Sequence, residues 1–109
     1  VLVLGFTFKE NCPDTRNTKV VDIIDELKDF GVDVDVYDPY ALRDEVKEEY
    51  GVELLDQMSD IDIKKYDGII LAVAHDEFKQ LDFDFVRNQP TVLFDVKGIL
   101  DKFLVHGRL

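Results

Sequence analysis

The sequence predicts an α/β domain in which helices cover both faces of a mostly parallel sheet. Two observations carry this prediction. Apolar runs of strand length recur at residues 1–4, 68–73 and 91–95, and segments with helical periodicity separate them. Strands that alternate with helices form βαβ units, so we expect a three-layer αβα architecture of the Rossmann-like kind.

The first strand and the first helix have the clearest patterns. Residues 1–4 are continuously apolar, which predicts a buried strand, and residues 6–17 form a long loop. A helix is predicted over residues 18–30, with Gly31 at the position after its last turn. Its apolar residues have the i, i+3, i+4, i+7 spacing of a buried helix face, at Val20, Ile23, Ile24 and Leu27.

The second strand and the second helix are more polar. Residues 32–37 alternate valine with aspartate, which predicts a strand with one polar face near a sheet edge. Asp38 and Pro39 end this strand. Residues 41–50 then have the pattern of a charged amphipathic helix, and Gly51 closes it.

The second half of the chain contains shorter elements. Residues 68–73 are continuously apolar, as expected for a central parallel strand, and residues 91–95 are predicted to form the last strand. Weaker patterns predict a short strand at residues 52–55 and short helical pieces at residues 61–66, 76–80 and 83–88.

The composition limits the classes of function. The chain has 109 residues, and 13 basic against 24 acidic side chains give a net charge of −11. Such a charge disfavours binding to nucleic acid or to an anionic membrane, and no apolar run approaches the roughly 18 residues that span a bilayer. With one cysteine and no signal-peptide pattern, we expect a single cytoplasmic domain over residues 1–109.

The loop after the first predicted strand lies beyond the carboxyl end of that strand, where α/β folds bind ligands. A dinucleotide site needs the G-x-G-x-x-G pattern there, and this loop has one glycine, so we expect no NAD on this segment. The loop offers Lys9 beside Phe6 and Phe8 instead. A lysine can bind phosphate and an aromatic ring can stack on a base or sugar. Equally, both phenylalanines can pack in the core and leave Lys9 in solvent.

Polar residues in the other loops have ordinary explanations beside the functional ones. Asp14 and Arg16 can anchor the first loop or form a local ion pair near the helix start. Cys12 is interpreted as structural, because nothing local ties either of the two histidines, His75 and His106, to it. His75 follows the central strand, where it can contact a ligand or begin a helix. One cysteine and two distant histidines give no metal-binding pattern.

The ends of the second and last strands supply an acid and a second cation. Asp38 stands where dinucleotide folds often place a ribose-binding acid, but Tyr37-Asp38-Pro39 without the glycine loop mainly predicts a turn. Lys97 follows the last strand and would face the same edge of the sheet as Lys9. Lys97 is either part of a local anion site or an ordinary surface lysine.

These loop sequences together resemble a known family. The chain contains, in order, the segments G-F-T-F-K (5–9), D-T-R-N-T (14–18), Y-D-P (37–39), H-D-E-F (75–78) and D-V-K-G (95–98). The series resembles the carboxy-terminal domain of the nucleotide-sugar 6-dehydrogenases, the UDP-glucose and GDP-mannose dehydrogenase superfamily, over nearly the whole chain. Residues 8–18 are most similar to the branch that acts on UDP-N-acetylhexosamines and serves bacterial surface polysaccharides.

The resemblance implies that this segment binds substrate. In that family an NAD-binding domain and a central dimerisation region precede a UDP-binding domain, and the enzyme oxidises the C6 alcohol of a UDP-sugar to a carboxylate with two NAD⁺. By resemblance, Phe8, Lys9 and Lys97 would bind the UDP-sugar, while Asp14 and Arg16 would hold the first loop in shape. The family's catalytic cysteine precedes this domain, so no catalytic or metal-binding residue is expected here.

The expected context is a longer enzyme. The chain begins with an apolar run and no methionine, which indicates a segment that is inactive alone. The expected partners are the UDP-sugar, the missing NAD-binding and central domains, and further copies in a homo-oligomer. Two other classes compete. A signalling receiver domain needs an acidic pair after its first strand, where this chain has Phe8 and Lys9, and an interaction module that tethers subunits is the remaining alternative.

Overall fold

The computed structural model describes residues 1–16 and 18–96, together with the backbone of residues 107 and 108. Its helices and strands follow the order β1 (Leu2–Leu4), α1 (Val20–Asp29), β2 (Asp35–Tyr37), α2 (Arg43–Tyr50), β3 (Gly68–Leu71), α3 (Asp76–Lys79), β4 (Val92–Asp95) and β5 (Gly107–Arg108). Short 3₁₀ helices occupy Met58–Asp60, Ile63–Lys65 and Asp84–Arg87. Within these described ranges, no helix has both the length and the apolar character needed to cross a membrane.

The five strands form one parallel sheet in the order β2-β1-β3-β4-β5. The strand β1 lies between β2 and β3, and its residue Val3 is level with Val36 on one side and Ile70 on the other. Parallel strands of one sheet need crossover connections, and the first two contain α1, between β1 and β2, and α2, between β2 and β3. The sheet therefore has the parallel α/β arrangement that the sequence predicts.

Alternate residues of each strand point to opposite faces of the sheet, and an apolar cluster covers each face. On one face, Val3 and Val36 pack with Val20 and Ile24 of α1 and with Val46 of α2. The opposite face carries a second apolar cluster, which contains Leu2, Leu4, Ile69, Leu71, Phe78, Phe83 and Val86. These two clusters confirm the predicted three-layer architecture.

A glycine follows the last turn of each of the two main helices, as the sequence predicts. Gly31 follows α1 with a φ of 80°, and Gly51 follows α2 with a φ of 70°. In this left-handed region glycine avoids the steric cost of a side chain. The helix α1 begins at Val20 rather than Thr18. The Thr18 hydroxyl stays outside the helix, where it donates to the Phe6 carbonyl over 2.6 Å and accepts from the Val20 amide over 3.2 Å.

Several elements are shorter than the sequence patterns predict. The strand β2 begins at Asp35 rather than at residue 32, because the Val32 amide closes α1 by bonding the Leu27 carbonyl over 3.1 Å. The predicted strand at residues 52–55 is one bridge between Leu54 and β2. Two predicted helical pieces are 3₁₀ helices, and β5 was not predicted.

Candidate functional site

The candidate site lies at the carboxyl ends of β1 and β3, which are neighbours in the sheet. The chain leaves β1 toward α1 on one face and leaves β3 toward α3 on the other. The two loops therefore diverge, and such a divergence forms the crevice in which α/β proteins bind ligands. Three loops meet at this carboxyl edge: the β1–α1 loop (residues 5–19), the β2–α2 loop (residues 38–42) and the β3–α3 loop (residues 72–75).

A buried carboxylate joins the first two of these loops. Asp38 directly follows β2, and its side chain is fully buried. Its Oδ2 accepts the amides of Phe6 (2.7 Å) and Thr7 (3.0 Å). Its Oδ1 accepts the amides of Tyr40 (2.7 Å) and Ala41 (3.1 Å). Asp38 thus shapes its own turn, as predicted, and it also holds the start of the β1–α1 loop.

His75 joins the third loop to the same carboxylate. Its ring is fully buried, and its Nε2 lies 2.8 Å from Oδ2 of Asp38 and 3.0 Å from the Thr7 hydroxyl. The Asn11 amide donates to Nδ1 over 2.7 Å, so Nδ1 has no hydrogen and Nε2 has one. The imidazole is therefore neutral in this arrangement, and its Nε2–H donates to Asp38.

The pKa of Asp38 reflects two opposed effects. Burial raises the pKa of a carboxyl group, because it removes water from the charged form. The hydrogen bonds from His75 and from the amides of Phe6, Thr7 and Tyr40 stabilise the carboxylate and lower the pKa below its ordinary value. Asp38 is therefore a carboxylate in the folded chain, held by neutral donors.

Two residues extend these contacts to the segment around Lys9. Thr7 donates its hydroxyl hydrogen to the Lys9 carbonyl over 2.9 Å. Asn11 has a φ of 57°, a left-handed conformation that asparagine tolerates better than most residues. Its Oδ1 accepts the Asp76 amide over 2.9 Å. Lys9 thus lies between two points at which the β1–α1 loop is bonded to its neighbours.

The sequence left open whether Phe6 and Phe8 are both buried, and the structure shows that they differ. Phe6 is fully buried and meets the ring of Tyr50 edge to face, with 5.3 Å between ring centres. Phe8 is 45% exposed, and Lys9 beside it is also exposed. The core takes one aromatic ring, and the loop presents the other together with the cation.

A small cavity adjoins Phe8 at the carboxyl edge. Its volume is about 140 Å³, and its lining residues are Thr7, Phe8, Lys19, Val20, Ile23, Ala72, Val73 and Val96. Small-molecule pockets usually have roughly 300–1,000 Å³, so this cavity is at most part of such a pocket. A groove of about 600 Å³ lies along the outer edge of β2, but none of the three loops of the carboxyl edge lines it.

The predicted ion pair between Asp14 and Arg16 is present. Nε of Arg16 lies 3.1 Å from Oδ1 of Asp14, and the arginine side chain is 83% exposed. The hydrogen bond from Arg16 lowers the pKa of Asp14. The Asp14 carbonyl also accepts the Phe8 amide over 2.8 Å, which connects this turn to the exposed segment. The role of the pair as a loop anchor stays a prediction.

The β1–α1 loop lacks the glycine pattern of a dinucleotide site. Gly5 has a φ of 103°, and a Cβ at this position would lie 2.6 Å from Cβ of Val73. This glycine therefore permits close packing against the β3–α3 loop. The sequence has no other glycine in the loop at which a pyrophosphate could approach the backbone.

Other considered residues are placed as follows. Cys12 is half-buried in the β1–α1 loop. Lys97 and His106 lie outside the described residues, so a second cation beside Lys9 stays a prediction. Within residues 1–16 and 18–96, no three His, Cys, Asp or Glu side chains are grouped so as to hold a metal ion.

Sequence reasoning missed Thr7 and Asn11, and it considered Asp38 and His75 separately. A signal for the pair was available, because both residues follow predicted strands and the carboxyl ends of parallel strands share one edge. For Asn11, the signal is the tolerance of asparagine for positive φ in a loop that must turn back on itself.

Comparison with known proteins gives the family. Residues 2–102 match the family model described as UDP-glucose/GDP-mannose dehydrogenase family, UDP binding domain. The UDP-N-acetyl-D-glucosamine 6-dehydrogenase of Pseudomonas aeruginosa is 48% identical over 105 residues, which are 94% of this chain and 24% of that protein. The Salmonella typhi protein of the same name is 44% identical over 103 residues, which are 92% of this chain and 24% of its own length.

A solved structure shows the same fold. The UDP-glucose dehydrogenase from the hyperthermophilic archaeon Pyrobaculum islandicum matches with a TM-score of 0.76 and 24% identity, over 98% of this chain and 24% of that chain. The present chain thus spans about a quarter of the length of these relatives. The two curated relatives carry names from the UDP-N-acetylhexosamine branch that the sequence predicts. Because the family model covers nearly all of its residues, the chain belongs to the UDP-glucose/GDP-mannose dehydrogenase family and matches its UDP binding domain.

Proposed function

We propose that this chain is the UDP-sugar-binding part of an NAD-dependent nucleotide-sugar 6-dehydrogenase. The enzyme would oxidise the C6 alcohol of a UDP-hexose or UDP-N-acetylhexosamine to the uronic acid, for surface polysaccharide synthesis. The observation that carries the proposal is the exposed pair Phe8 and Lys9, held at the carboxyl edge within a segment that matches a UDP-binding family model.

Lys9 is proposed to bind the diphosphate of the substrate. A diphosphate is repelled by a chain with a net charge of −11, so binding needs a local cation close enough to act inside the screening length of about 8 Å. A lysine ammonium forms charge-assisted hydrogen bonds with phosphate oxygens. Lys97 is proposed to supply a second cation from the last loop.

Phe8 is proposed to contact the flat or apolar parts of the substrate. Its ring is half-exposed beside the small cavity, whereas Phe6 is committed to the core. Asp14 and Arg16 are proposed to keep this segment in shape, and the bond between the Asp14 carbonyl and the Phe8 amide supports this role.

The chemical step is proposed to lie on other parts of a longer protein. Two observations support this: the cavity of about 140 Å³ is too small for a nucleotide-sugar, and the β1–α1 loop has a single glycine, which is packed against Val73. We therefore propose that residues 1–109 form one carboxy-terminal domain, that an NAD-binding domain and a central domain complete the cleft, and that the enzyme is a cytoplasmic homo-oligomer. In this scheme the present chain binds and positions substrate for groups elsewhere.

The test is a titration of the chain with UDP, followed by NMR, with UMP and NAD⁺ as controls. We expect shifts at the amides of Phe8 and Lys9 with UDP and none with NAD⁺. The variant Lys9→Met should weaken UDP binding about tenfold or more, because it removes a charge-assisted bond. The matched control Lys28→Met makes the same charge change at the far end of α1 and should leave UDP binding unchanged.

Three outcomes would contradict the proposal. Selective binding of NAD⁺ would overturn the assignment of the ligand. Equal effects of Lys9→Met and Lys28→Met would show that net charge, rather than a site at Lys9, controls binding. No binding of any nucleotide by the folded chain, together with an unchanged UDP-sugar affinity of the full-length protein that carries Lys9→Met, would favour the interaction module considered from the sequence.

A further inference from the structure

We propose that His75 is a positioning residue, which holds the β1–α1 loop in the conformation that presents Phe8 and Lys9. This inference rests on the proposed function, since it concerns how the UDP-binding loop keeps its shape. His75 is fully buried, so it does not reach a ligand at the surface. Its effect on binding must pass through the residues that it bonds.

The hydrogen positions around His75 form one consistent set. Nδ1 accepts the Asn11 amide, so the ring hydrogen is on Nε2 and is shared between Oδ2 of Asp38 and the Thr7 oxygen. The Thr7 hydroxyl hydrogen is then free to bond the Lys9 carbonyl. The other neutral tautomer would put a hydrogen on Nδ1 against the Asn11 amide and leave Nε2 facing the Asp38 carboxylate without one.

Neighbouring side chains keep the ring in this orientation. The ring centres of Tyr40 and Phe78 lie 4.6 Å and 5.5 Å from that of His75. The hydroxyl of Tyr40 donates to Oε1 of Glu77 over 2.7 Å, which fixes Tyr40 in turn. A ring packed against two aromatic side chains and bonded at both nitrogens can act as a rigid link between β2, β3 and the β1–α1 loop.

The link acts on both sides of Lys9. On one side it reaches Thr7, but Thr7 is also held by Asp38 through its amide and bonds the Lys9 carbonyl through its hydroxyl, so this side does not depend on His75 alone. On the other side it reaches the backbone of Asn11, whose side chain is bonded to the Asp76 amide. Loss of the Nδ1 contact should therefore leave residues 8–11 free to sample other conformations. Binding would then be weaker, since the binding conformation would be only part of the population.

Two substitutions separate the two nitrogens of His75. His75→Gln keeps a donor near the Nε2 position and removes the acceptor at Nδ1. His75→Asn keeps an acceptor near the Nδ1 position and removes the donor to Asp38. If the proposal holds, His75→Gln speeds hydrogen exchange at the Asn11 amide and weakens UDP binding, each about tenfold. His75→Asn should keep both properties close to wild type while it lowers the melting temperature.

A third variant guards against loss of folding. Asn11 is exposed, and glycine accepts its φ of 57°, so Asn11→Gly should fold. It removes the Oδ1 contact with the Asp76 amide and keeps the backbone amide that bonds His75. We expect faster exchange at residues 8–11 and weaker UDP binding, with an unchanged melting temperature. Long-range ¹H–¹⁵N spectra of the wild-type chain should show the His75 hydrogen on Nε2.

The outcomes distinguish this inference from the proposed function. Unchanged exchange and unchanged UDP affinity in both His75→Gln and Asn11→Gly would refute the positioning role even where wild type binds UDP. Equal losses in His75→Gln and His75→Asn would also refute it, because a general loss of stability would then explain both. Failure of both the folded wild-type chain and the full-length protein to bind UDP would refute the proposed function, and with it the role of His75 in binding.

Discussion

Replacing Asp38 with asparagine tests the central contact of the carboxyl edge. The substitution keeps the size of the side chain and exchanges one carboxylate oxygen for an NH₂ group. Both oxygens already accept hydrogen bonds, from Phe6, Thr7 and His75 on Oδ2 and from Tyr40 and Ala41 on Oδ1. Either orientation of the amide therefore places a donor against at least two other donors.

The expected loss of stability follows from the number of bonds broken. The cheaper orientation puts the NH₂ group on the Oδ1 side and loses the bonds to Tyr40 and Ala41. A hydrogen bond to a charged group contributes about 1.5–3 kcal/mol, so two of them give about 3–6 kcal/mol. A domain of this size has about 5–15 kcal/mol in total. The melting temperature should fall by about 12 °C or more.

The assay is thermal and urea unfolding of Asp38→Asn followed by circular dichroism. The matched control is Asp25→Asn on the exposed surface of α1, which makes the same change in net charge. The control should unfold at the wild-type temperature. A loss below about 1 kcal/mol in Asp38→Asn would refute the reasoning, because it would show that five donors around a buried carboxylate contribute no more than a surface contact.

Two further predictions concern the same edge. Gly5→Ala should cost several kcal/mol or prevent folding, because the added Cβ would lie 2.6 Å from Cβ of Val73 at a φ of 103°. In Gly31→Ala nothing lies within 4 Å of the new Cβ, so unfolding experiments should show only the left-handed backbone cost of about 1–2 kcal/mol. The lowered pKa of Asp38 implies stabilisation that is complete above the unfolded pKa of 3.8 and is lost as the pH falls through the folded value. Wild-type stability should therefore decline with acid below about pH 4 more steeply than that of Asp38→Asn, and parallel declines would contradict the assignment.

Local patterns predict the elements of this fold better than they predict where those elements end. The continuous apolar runs at β1 and β3 and the glycines after α1 and α2 are local signals, and the structure follows them. The start of β2 depends on whether Val32 joins the strand or the end of α1, and a local pattern cannot decide between the two. Val32 has the alternation of a strand, but its amide is used to close α1. The two residues of β5 carry no apolar run, so nothing in the sequence marks them.

The pairing within the site depended on the order of the strands. Asp38 and His75 are 37 positions apart, and each looks like a turn or helix-start residue by itself. They meet because β2 and β3 lie on either side of β1, so the loop that leaves β1 passes between the residues that follow its two neighbours. Thr7 occupies that place and contacts both. Without the strand order, the sequence places Thr7, Asp38 and His75 at one edge of the sheet but does not show that they bond to one another.

The geometry of the Asp38–His75 pair also argues against a role as a catalytic base. Carboxylate–histidine pairs are frequent in active sites, where the histidine takes a proton from substrate and so needs a free ring nitrogen within about 3 Å of it. Here Nδ1 is occupied by the Asn11 amide and Nε2 by Asp38 and Thr7, and the ring has no exposed surface. The pair has the components of a catalytic dyad, but neither ring nitrogen is available to take a proton from a substrate. What the pair can control is the position of the backbone around Lys9, through the Thr7 hydroxyl and the Asn11 amide.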